Sequence, residues 1–490
     1  MKFLSLDIGT TCCKCQLFSE NGDILEYISR EYDFRREEGY NYVDIKAVWS
    51  HVKEMIAEVA SHHEISSLCV SSLGEAFTLL DKEDNILFYP MLYTDPRGEE
   101  EAAQISARLG EEACFKISGT VPHSMYSISK LLWIKNNYPQ LFAKADKVLL
   151  VGEYIGYLLT GKRVIDQGLA ARTGVLDVKK KEFSDTMLSA LDVKKSLFST
   201  VMQAGSIVGA IKPSLARELG MDYEPLLVLG SHDQVCASLG AGVLSEGDAA
   251  DGMGTVECLT VLHSAPPENI KMGQQGYPCV PYAIDGLYCT YILNYSCCSS
   301  VNWYRKKIMH EYCGGEKNFF SYIEKDIGSE PSGILTLPYL GGAATPYQDL
   351  SAKGAVIGLT TETSDSALFQ SLLEGTAMEM RFNSEVAENY EIHIREAVAT
   401  GGGANSKKWL QIKADIQNIP IKALRSGEGG LCGCAMLQAV ALGSSSDLFE
   451  ARERFVRYTH EFLPNEENHK AYEESYLRYK KIYNTLKELY

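Results

Sequence analysis

The chain has 490 residues and is 45% hydrophobic, as expected of a globular protein with two or more domains. Its 47 basic and 64 acidic residues give a net charge of −17, which disfavours nucleic acid or an anionic membrane surface as a partner. An acid at position 7 comes too early for a secretory leader, and no run of eighteen apolar residues occurs. We therefore expect a cytoplasmic protein that binds small polar ligands.

The N-terminal residues predict a strand, a tight turn and a second strand. Residues 2–8 are largely apolar, Gly9-Thr10 forms the turn, and residues 14–18 resume an extended pattern. A helical pattern over residues 44–60 and further short strands follow. This alternation predicts an α/β fold.

A similar opening occurs in the second half of the chain. Residues 249–255 end in another Gly-Thr turn, Gly254-Thr255, and the apolar run 258–262 follows it. Two such openings, in halves of similar length, predict duplicated domains at residues 1–245 and 246–490, joined by a short element.

Fourteen cysteines are present, and we interpret them as reduced thiols because the chain is long and has no evident leader. The densest group is Cys12, Cys13 and Cys15, on a predicted strand that turns neighbouring side chains to opposite faces. Metal binding is not expected there.

A charged residue, Asp233, stands where the apolar strand 225–229 has just ended. One interpretation is a helix N-cap, since Asp favours that position and the positive end of the helix dipole. The other is a functional carboxylate, and the local sequence leaves both open.

Three glycine-rich turns follow apolar strands, at Gly9-Thr10, Gly254-Thr255 and residues 401–405. Glycine lets the backbone approach a ligand, and the N–H groups of such turns can bind phosphate oxygens. Each turn alone is compatible with a purely structural role. Together with Asp7, which can engage hydrated Mg²⁺, they favour nucleotide binding, while the P-loop and dinucleotide fingerprints are not found.

The order and spacing of these segments resemble the FGGY family of carbohydrate kinases over nearly the whole chain. The segments that carry the resemblance are 7–10, 94–97, 129–133, 158–161, 230–234, 354–359, 374–375, 401–405, 409–411 and 414–415. The resemblance implies two ribonuclease H-like domains of the actin and Hsp70 ATPase type, with the active site in a central cleft.

The resemblance also implies roles for individual residues. Asp233 would be the catalytic base that accepts the proton of a substrate hydroxyl. Two turns would face the phosphates of ATP, at Gly9, Thr10, Gly254 and Thr255, and Asp7 would assist Mg²⁺. A third segment would border the adenosine, at Gly402, Gly403 and Asn405. For the last three, a helix-capping loop is the structural alternative.

Substrate contacts are implied for Glu75, Asp95, Arg97 and Gln234. A carboxylate at position 75 can accept two hydroxyl hydrogen bonds. Asp95 and Arg97 could equally brace a loop. The chain departs from glycerol kinases by having Gly74 where they carry Arg, and from many members by Ala343-Ala344 in place of Glu-Arg.

The resemblance thus predicts an ATP- and Mg²⁺-dependent kinase acting on a small sugar or polyol, most plausibly a pentulose such as xylulose or ribulose. A homodimer is compatible with it. The alternatives are a nucleotide-dependent switch of the actin and Hsp70 type, which would bind ATP without a sugar, and a catalytically weak sugar sensor.

Overall fold

The structure is a computed structural model that describes residues 1–37, 39–309, 316–328, 330–425 and 427–489. Two mixed sheets organise it. The first contains β1 (Lys2–Ile8), β2 (Cys12–Ser19), β3 (Ile24–Glu31), β4 (Ser67–Ser72), β5 (Ile207–Ala210) and β6 (Leu226–Val228), in the order β5-β6-β4-β1-β2-β3. Strand β1 pairs antiparallel with β2 and parallel with β4, which in turn pairs parallel with β6.

The second sheet repeats this arrangement. Its strands are β7 (Asp248–Met253), β8 (Glu257–His263), β9 (Val280–Pro281), β10 (Tyr288–Asn294), β11 (Glu396–Thr400), β12 (Ile421–Leu424) and β13 (Tyr458–Phe462), in the order β9-β10-β8-β7-β11-β12-β13. Strand β7 pairs antiparallel with β8 and parallel with β11. We call the parts built on the two sheets the first and second lobes.

Helices surround both sheets. The first half of the chain contains α1 (Ile45–His62), α2 (Glu99–Leu109), α3 (Glu111–Ser118), α4 (Ser127–Asn137), α5 (Pro139–Phe142), α6 (Val151–Thr160), α7 (Gln167–Ala171), α8 (Asp185–Ala190), α9 (Pro213–Glu218) and α10 (Asp233–Gly240). The second half contains α11 (Ile270–Gln274), α12 (Cys298–Trp303), α13 (Glu316–Ile323), α14 (Asp365–Ala387), α15 (Lys407–Gln417), α16 (Gly429–Ala441), α17 (Leu448–Phe455), α18 (Glu466–Tyr479) and α19 (Ile482–Leu486). Within the described ranges, none of them has the length and hydropathy of a bilayer-spanning helix.

Short strands complete the fold. They form one three-stranded sheet, Phe77–Leu80, Ile86–Phe88 and Lys147–Leu150, and four small pairs, Arg35–Glu37 with Tyr40–Tyr42, Val164–Asp166 with Thr200–Met202, Leu176–Asp177 with Glu182–Phe183, and Leu335–Leu337 with Ala355–Ile357.

Helix α16 comes late in the chain but packs on the first sheet, against β1 and β4. The buried amide of Gln438 accepts a hydrogen bond from Ser67 Oγ at 2.8 Å and donates one to Ser5 Oγ at 3.3 Å. Phe455 of α17 then packs beside the ring of Phe3. The chain therefore returns to the first lobe at α16 and α17 before β13 adds the edge strand of the second sheet. The domain boundary at residue 245 stays a prediction.

Helices α10 and α16 touch through their backbones. A Cβ atom added to Gly433 would overlap the carbonyl oxygen of Cys236, and one added to Gly240 would overlap that of Gly429. Only glycine allows so close an approach. The helix that begins with Asp233 is thereby held against the helix that enters from the second lobe.

We predict that Gly433→Ala lowers stability by about 1–3 kcal/mol, because the added methyl group forces α10 and α16 apart. Differential scanning calorimetry should show a melting temperature several degrees below that of the wild type. Gly156→Ala in α6 is the matched control, since its Cβ would meet only the tip of Leu227 at 3.4 Å. Equal melting temperatures for the two variants would contradict the prediction.

Candidate active site

Three carboxylates meet where parallel strands of the first sheet end. Asp7 is the next-to-last residue of β1, Glu75 follows β4, and Asp233 follows β6 as the first residue of α10. The carboxyl ends of parallel strands are the usual ligand-binding edge of an α/β sheet. Asp7 and Glu75 lie close enough to raise the pKa of Asp233 by charge repulsion.

Asp233 has the properties of a proton acceptor. Burial, followed by the charges of Asp7 and Glu75, raises the pKa of Asp233 to about 7. Its Oδ1 lies 3.0 Å from Nε2 of His232 but makes no hydrogen bond within the described chain. The N-cap of α10 is His232, without a side-chain capping bond, so Asp233 does not cap the helix.

His232 is a neutral neighbour of Asp233. Burial and the charge of Arg172 hold the pKa of His232 well below its ordinary value. Its Nδ1 lies 3.2 Å from the hydroxyl of Tyr291 on β10, so the contact spans the two lobes. A neutral imidazole leaves the Asp233 carboxylate without a compensating charge beside it.

Asp7 has an unpaired oxygen at the same edge. Burial raises the pKa of Asp7 to about 6 against the opposing effect of the neighbouring Ser71 hydroxyl, and neither Asp7 Oδ1 nor Ser71 Oγ makes a hydrogen bond of acceptable geometry among the described residues. A Cβ atom on Gly430, in the first turn of α16, would lie 3.8 Å from Asp7 Oδ1. A buried carboxylate oxygen without a partner suits a hydrated divalent cation.

The two predicted phosphate-binding turns occupy equivalent places in the two lobes. Gly9 and Thr10 connect β1 to β2 and are half-buried, whereas Gly254 and Thr255 connect β7 to β8 and are exposed. The start of α12 is fixed to the second turn, because Cys298 N–H donates to the carbonyl of Gly254 at 3.0 Å. That the residues of these two turns face the phosphates of ATP remains a prediction.

The predicted adenosine-binding segment is a short 3₁₀ turn at Gly402–Asn405, after β11. Gly401 has φ of 83°, and a Cβ there would lie 2.8 Å from the carbonyl oxygen of Met253. Gly402 and Asn405 are exposed, whereas Gly403 is buried against Met253. The segment therefore adjoins the second turn, and its adenosine contacts remain a prediction.

A buried ion triad supports that second turn. Asp251 of β7 accepts an ion pair from Lys413 Nζ at 2.5 Å, and the same ammonium group contacts Glu257. Lys413 is a residue that the sequence reasoning missed, because it lies more than 150 positions away and helical periodicity alone assigns it only to α15. The counterpart of Asp7 in the second lobe is thus neutralised by a partner.

Glu75 is paired with Arg172, a second residue that the sequence reasoning missed. The Arg172 guanidinium donates two hydrogen bonds to Oε1 of Glu75, with Nε at 2.7 Å and Nη2 also in contact, and both side chains are buried. A Cβ on Gly74 would lie 2.9 Å from Cγ of Arg172. The absence of a side chain at position 74 therefore makes room for this pair.

Asp95 and Arg97 match the loop-bracing alternative. Arg97 donates to both oxygens of Asp95 at 2.8 and 2.5 Å and to the hydroxyl of Tyr42 at 2.7 Å. The ring of Tyr40 lies 3.9 Å from the guanidinium carbon. Gln234 follows Asp233 and is half-buried. Substrate contacts by these three predicted residues remain predictions.

Comparison with known proteins agrees with this geometry. The sequence models of the FGGY family of carbohydrate kinases match residues 2–240 for the N-terminal domain and 252–442 for the C-terminal domain. The chain belongs to the FGGY family of carbohydrate kinases. The predicted α/β fold of two ribonuclease H-like lobes with a central cleft is confirmed.

Members of the FGGY family resemble this chain along its whole length. A xylulose kinase of Staphylococcus xylosus is 26% identical, with 98% of this chain and 99% of the relative covered. The crystal structure of a "xyloylose kinase" from Brucella ovis gives a TM-score of 0.91 at 26% identity and covers both chains completely. That of a gluconate kinase from Lactobacillus acidophilus gives 0.88 at 25% identity and covers 99% and 98%.

We predict that Asp233→Asn stabilises the protein at pH 8. The pKa of Asp233 is raised from 3.8 to about 7 in the folded chain, so stability falls as the pH rises from about 4 to about 7 and stays at the lower level above that, and Asn imitates the neutral acid. Melting temperatures should be higher for the variant than for the wild type at pH 8, and the difference should shrink at pH 5.

Asp95→Asn is the control of opposite sign. Its hydrogen bonds and ion pair with Arg97 hold the pKa of Asp95 below its ordinary value, against the effect of burial, so the folded state prefers the carboxylate. This variant should melt below the wild type at pH 8. A stability loss of equal size in both variants would show that the ionised carboxylate of Asp233 does not destabilise the folded state.

Proposed function

We propose that this FGGY carbohydrate kinase transfers the γ-phosphate of ATP to a hydroxyl of an open-chain pentulose, such as xylulose or ribulose. The observation that carries the proposal is the carboxylate of Asp233 beside the strand ends of the first lobe, with a pKa of about 7 and an Oδ1 that makes no hydrogen bond to the described residues. An acid with that pKa is poised to accept a proton at neutral pH.

The reaction requires a proton acceptor at the attacking alcohol. As the sugar oxygen forms its bond to the γ-phosphorus, its O–H bond breaks and the proton passes to the carboxylate of Asp233. The bond from phosphorus to the bridging oxygen breaks and ADP leaves. His232 stays neutral, so it does not reduce the basicity of Asp233 with a positive charge.

The residues around Asp7 fit a magnesium nucleotide. The unpaired Oδ1 of Asp7 would face the hydration shell of Mg²⁺, while the N–H groups of the turns at Gly9-Thr10 and Gly254-Thr255 would hold phosphate oxygens. When bound, the cation neutralises charge that develops on the phosphates.

Similarity to named kinases supports the substrate class. Proteins called xylulose kinase match this chain over nearly its full length, and proteins called gluconokinase match it at comparable identity. Pentuloses are therefore our first choice and sugar acids the alternative. We further propose that the kinase acts in the cytoplasm, where ATP is available and thiols are reduced.

We predict that a coupled ADP-release assay over pentuloses, hexuloses, polyols and sugar acids gives the highest kcat/KM with a pentulose. Mass spectrometry of the product should show the addition of one phosphate. ATP binding without stimulation by any compound would instead favour a nucleotide-dependent switch, and sugar binding with negligible turnover would favour a sugar sensor.

We predict that Asp233→Asn lowers kcat by about 10²- to 10⁴-fold while ATP still binds, because the proton acceptor is lost. In the wild type, kcat/KM for the sugar should fall as the pH drops below about 7, since Asp233 is then protonated. Wild-type turnover by the variant, or a flat profile from pH 5.5 to 8, would reject the role of Asp233.

A further inference from the structure

Arg172 has an unused donor beside the proposed active site. It caps the C-terminal end of α7, and its side chain is only 6% exposed. Nε and Nη2 bind Glu75, whereas Nη1 is buried and makes no hydrogen bond of acceptable geometry among the described residues, and a hydrogen bond from the guanidinium group lowers the pKa of Tyr126 against the larger effect of burial. Because an unpaired buried donor of a charged group is costly, such atoms are rare and call for an explanation.

Glu75 offers an acceptor next to this donor. Both hydrogen bonds from Arg172 go to Oε1, and Oε2 takes part in no hydrogen bond within the described ranges. Glu75 has φ of 57°, a left-handed conformation that is unfavourable for this residue type and is often found at functional sites. The pair thus presents an acceptor and a donor side by side.

The surrounding residues hold the pair in place. Ser127 Oγ donates to the backbone oxygen of Glu75 at 2.6 Å and lies 3.4 Å from that of Arg172. The rings of Tyr126 and Tyr291 lie 5.3 and 5.7 Å from the guanidinium carbon. Tyr291 belongs to the second lobe, so the guanidinium group lies where the two lobes meet.

The pair acts within electrostatic reach of the proton acceptor. The charge of Glu75 raises the pKa of Asp233 and that of Arg172 lowers it. A ligand that uses both members of the pair would therefore place its carbon chain near the carboxylate that takes its proton. An additional anionic group there would be repelled by Asp7 and Asp233, which favours a neutral ligand oxygen.

We propose that Arg172 determines substrate specificity by binding the keto oxygen of the sugar, while Glu75 accepts a hydrogen bond from the neighbouring hydroxyl. An α-hydroxyketone has a hydrogen-bond acceptor next to a donor, which complements Nη1 of Arg172 and Oε2 of Glu75. This inference rests on the proposed function and deepens it. The Arg172 contact distinguishes a ketose from the alditol with the same carbon chain. In the alditol a hydroxyl replaces the keto oxygen, and the hydrogen of that hydroxyl needs an acceptor of its own.

The test compares xylulose with xylitol, ribulose with ribitol, and both ketoses with the corresponding pentonates. The wild type should favour the ketose over the alditol by about 10- to 100-fold in kcat/KM, the effect of one hydrogen bond from a charged group. Arg172→Lys keeps the positive charge opposite Glu75 but removes Nη1, and it should bring the ratio close to one. A ratio that is unchanged in Arg172→Lys would overturn the inference, as would a wild-type preference for the pentonate.

A second variant and a control separate specificity from stability. Arg172→Gln combined with Glu75→Gln removes both charges together, so no buried charge is left unpaired. It should lose the discrimination as well. Arg163→Gln is the control, because Nη2 of Arg163 donates only to backbone oxygens at 2.8 to 3.2 Å, and the ketose-to-alditol ratio should stay at the wild-type value.

Direct binding distinguishes failure of this inference from failure of the proposed function. Calorimetric titration of the same compounds in the absence of ATP measures their affinities without turnover. Tighter binding of the ketose that depends on Arg172, without phosphorylation, would support the contact and reject the kinase proposal. Phosphorylation with a ketose-to-alditol ratio that does not depend on Arg172 would support the kinase proposal and reject the contact. If the compounds are neither bound nor phosphorylated, both proposals are rejected.

Discussion

The backbone contact between α10 and α16 is the constraint on which the cleft depends. Glycines at positions 240 and 433 let the two helices approach more closely than side chains would allow. Asp233 begins one of these helices, and Gly430 in the first turn of the other lies against Asp7. Asp233, Asp7 and the segment arriving from the second lobe are therefore positioned by one contact.

The duplicated lobes have diverged in their electrostatics. In the first lobe, Asp7 and Asp233 keep oxygens without hydrogen-bond partners among the described residues, and burial raises both pKa values. In the second, Asp251 also has one oxygen without a hydrogen-bond partner among the described residues, but its other oxygen is ion-paired with Lys413. Equivalent strands thus carry out different tasks. The first lobe concentrates reactive groups, while the second supplies a stable framework for its exposed turn.

Much of this arrangement could be predicted from sequence, because its signals are local. Apolar strands that end in Gly-Thr turns identified both sheet openings, and the carboxylate at position 233 stood out at a strand end. The pairing of Arg172 with Glu75 could not be found in this way, since it joins residues 97 positions apart. One signal was present: Gly74, noted as a departure from glycerol kinases, leaves the space that Arg172 fills. Asp95 and Arg97 show the opposite case, where a sequence motif left substrate binding and loop bracing equally open.

The path of the chain through the lobes has a consequence for biosynthesis. Strands β1 and β4 emerge from the ribosome early, but α16, which packs on them, begins only at position 429, about 350 residues after the end of β4. Until then the nascent first lobe exposes apolar surface that is buried in the finished protein, and such surface promotes aggregation. A gene encoding residues 1–245 alone would lack α16 and leave the surface of β1 and β4 that it packs against uncovered.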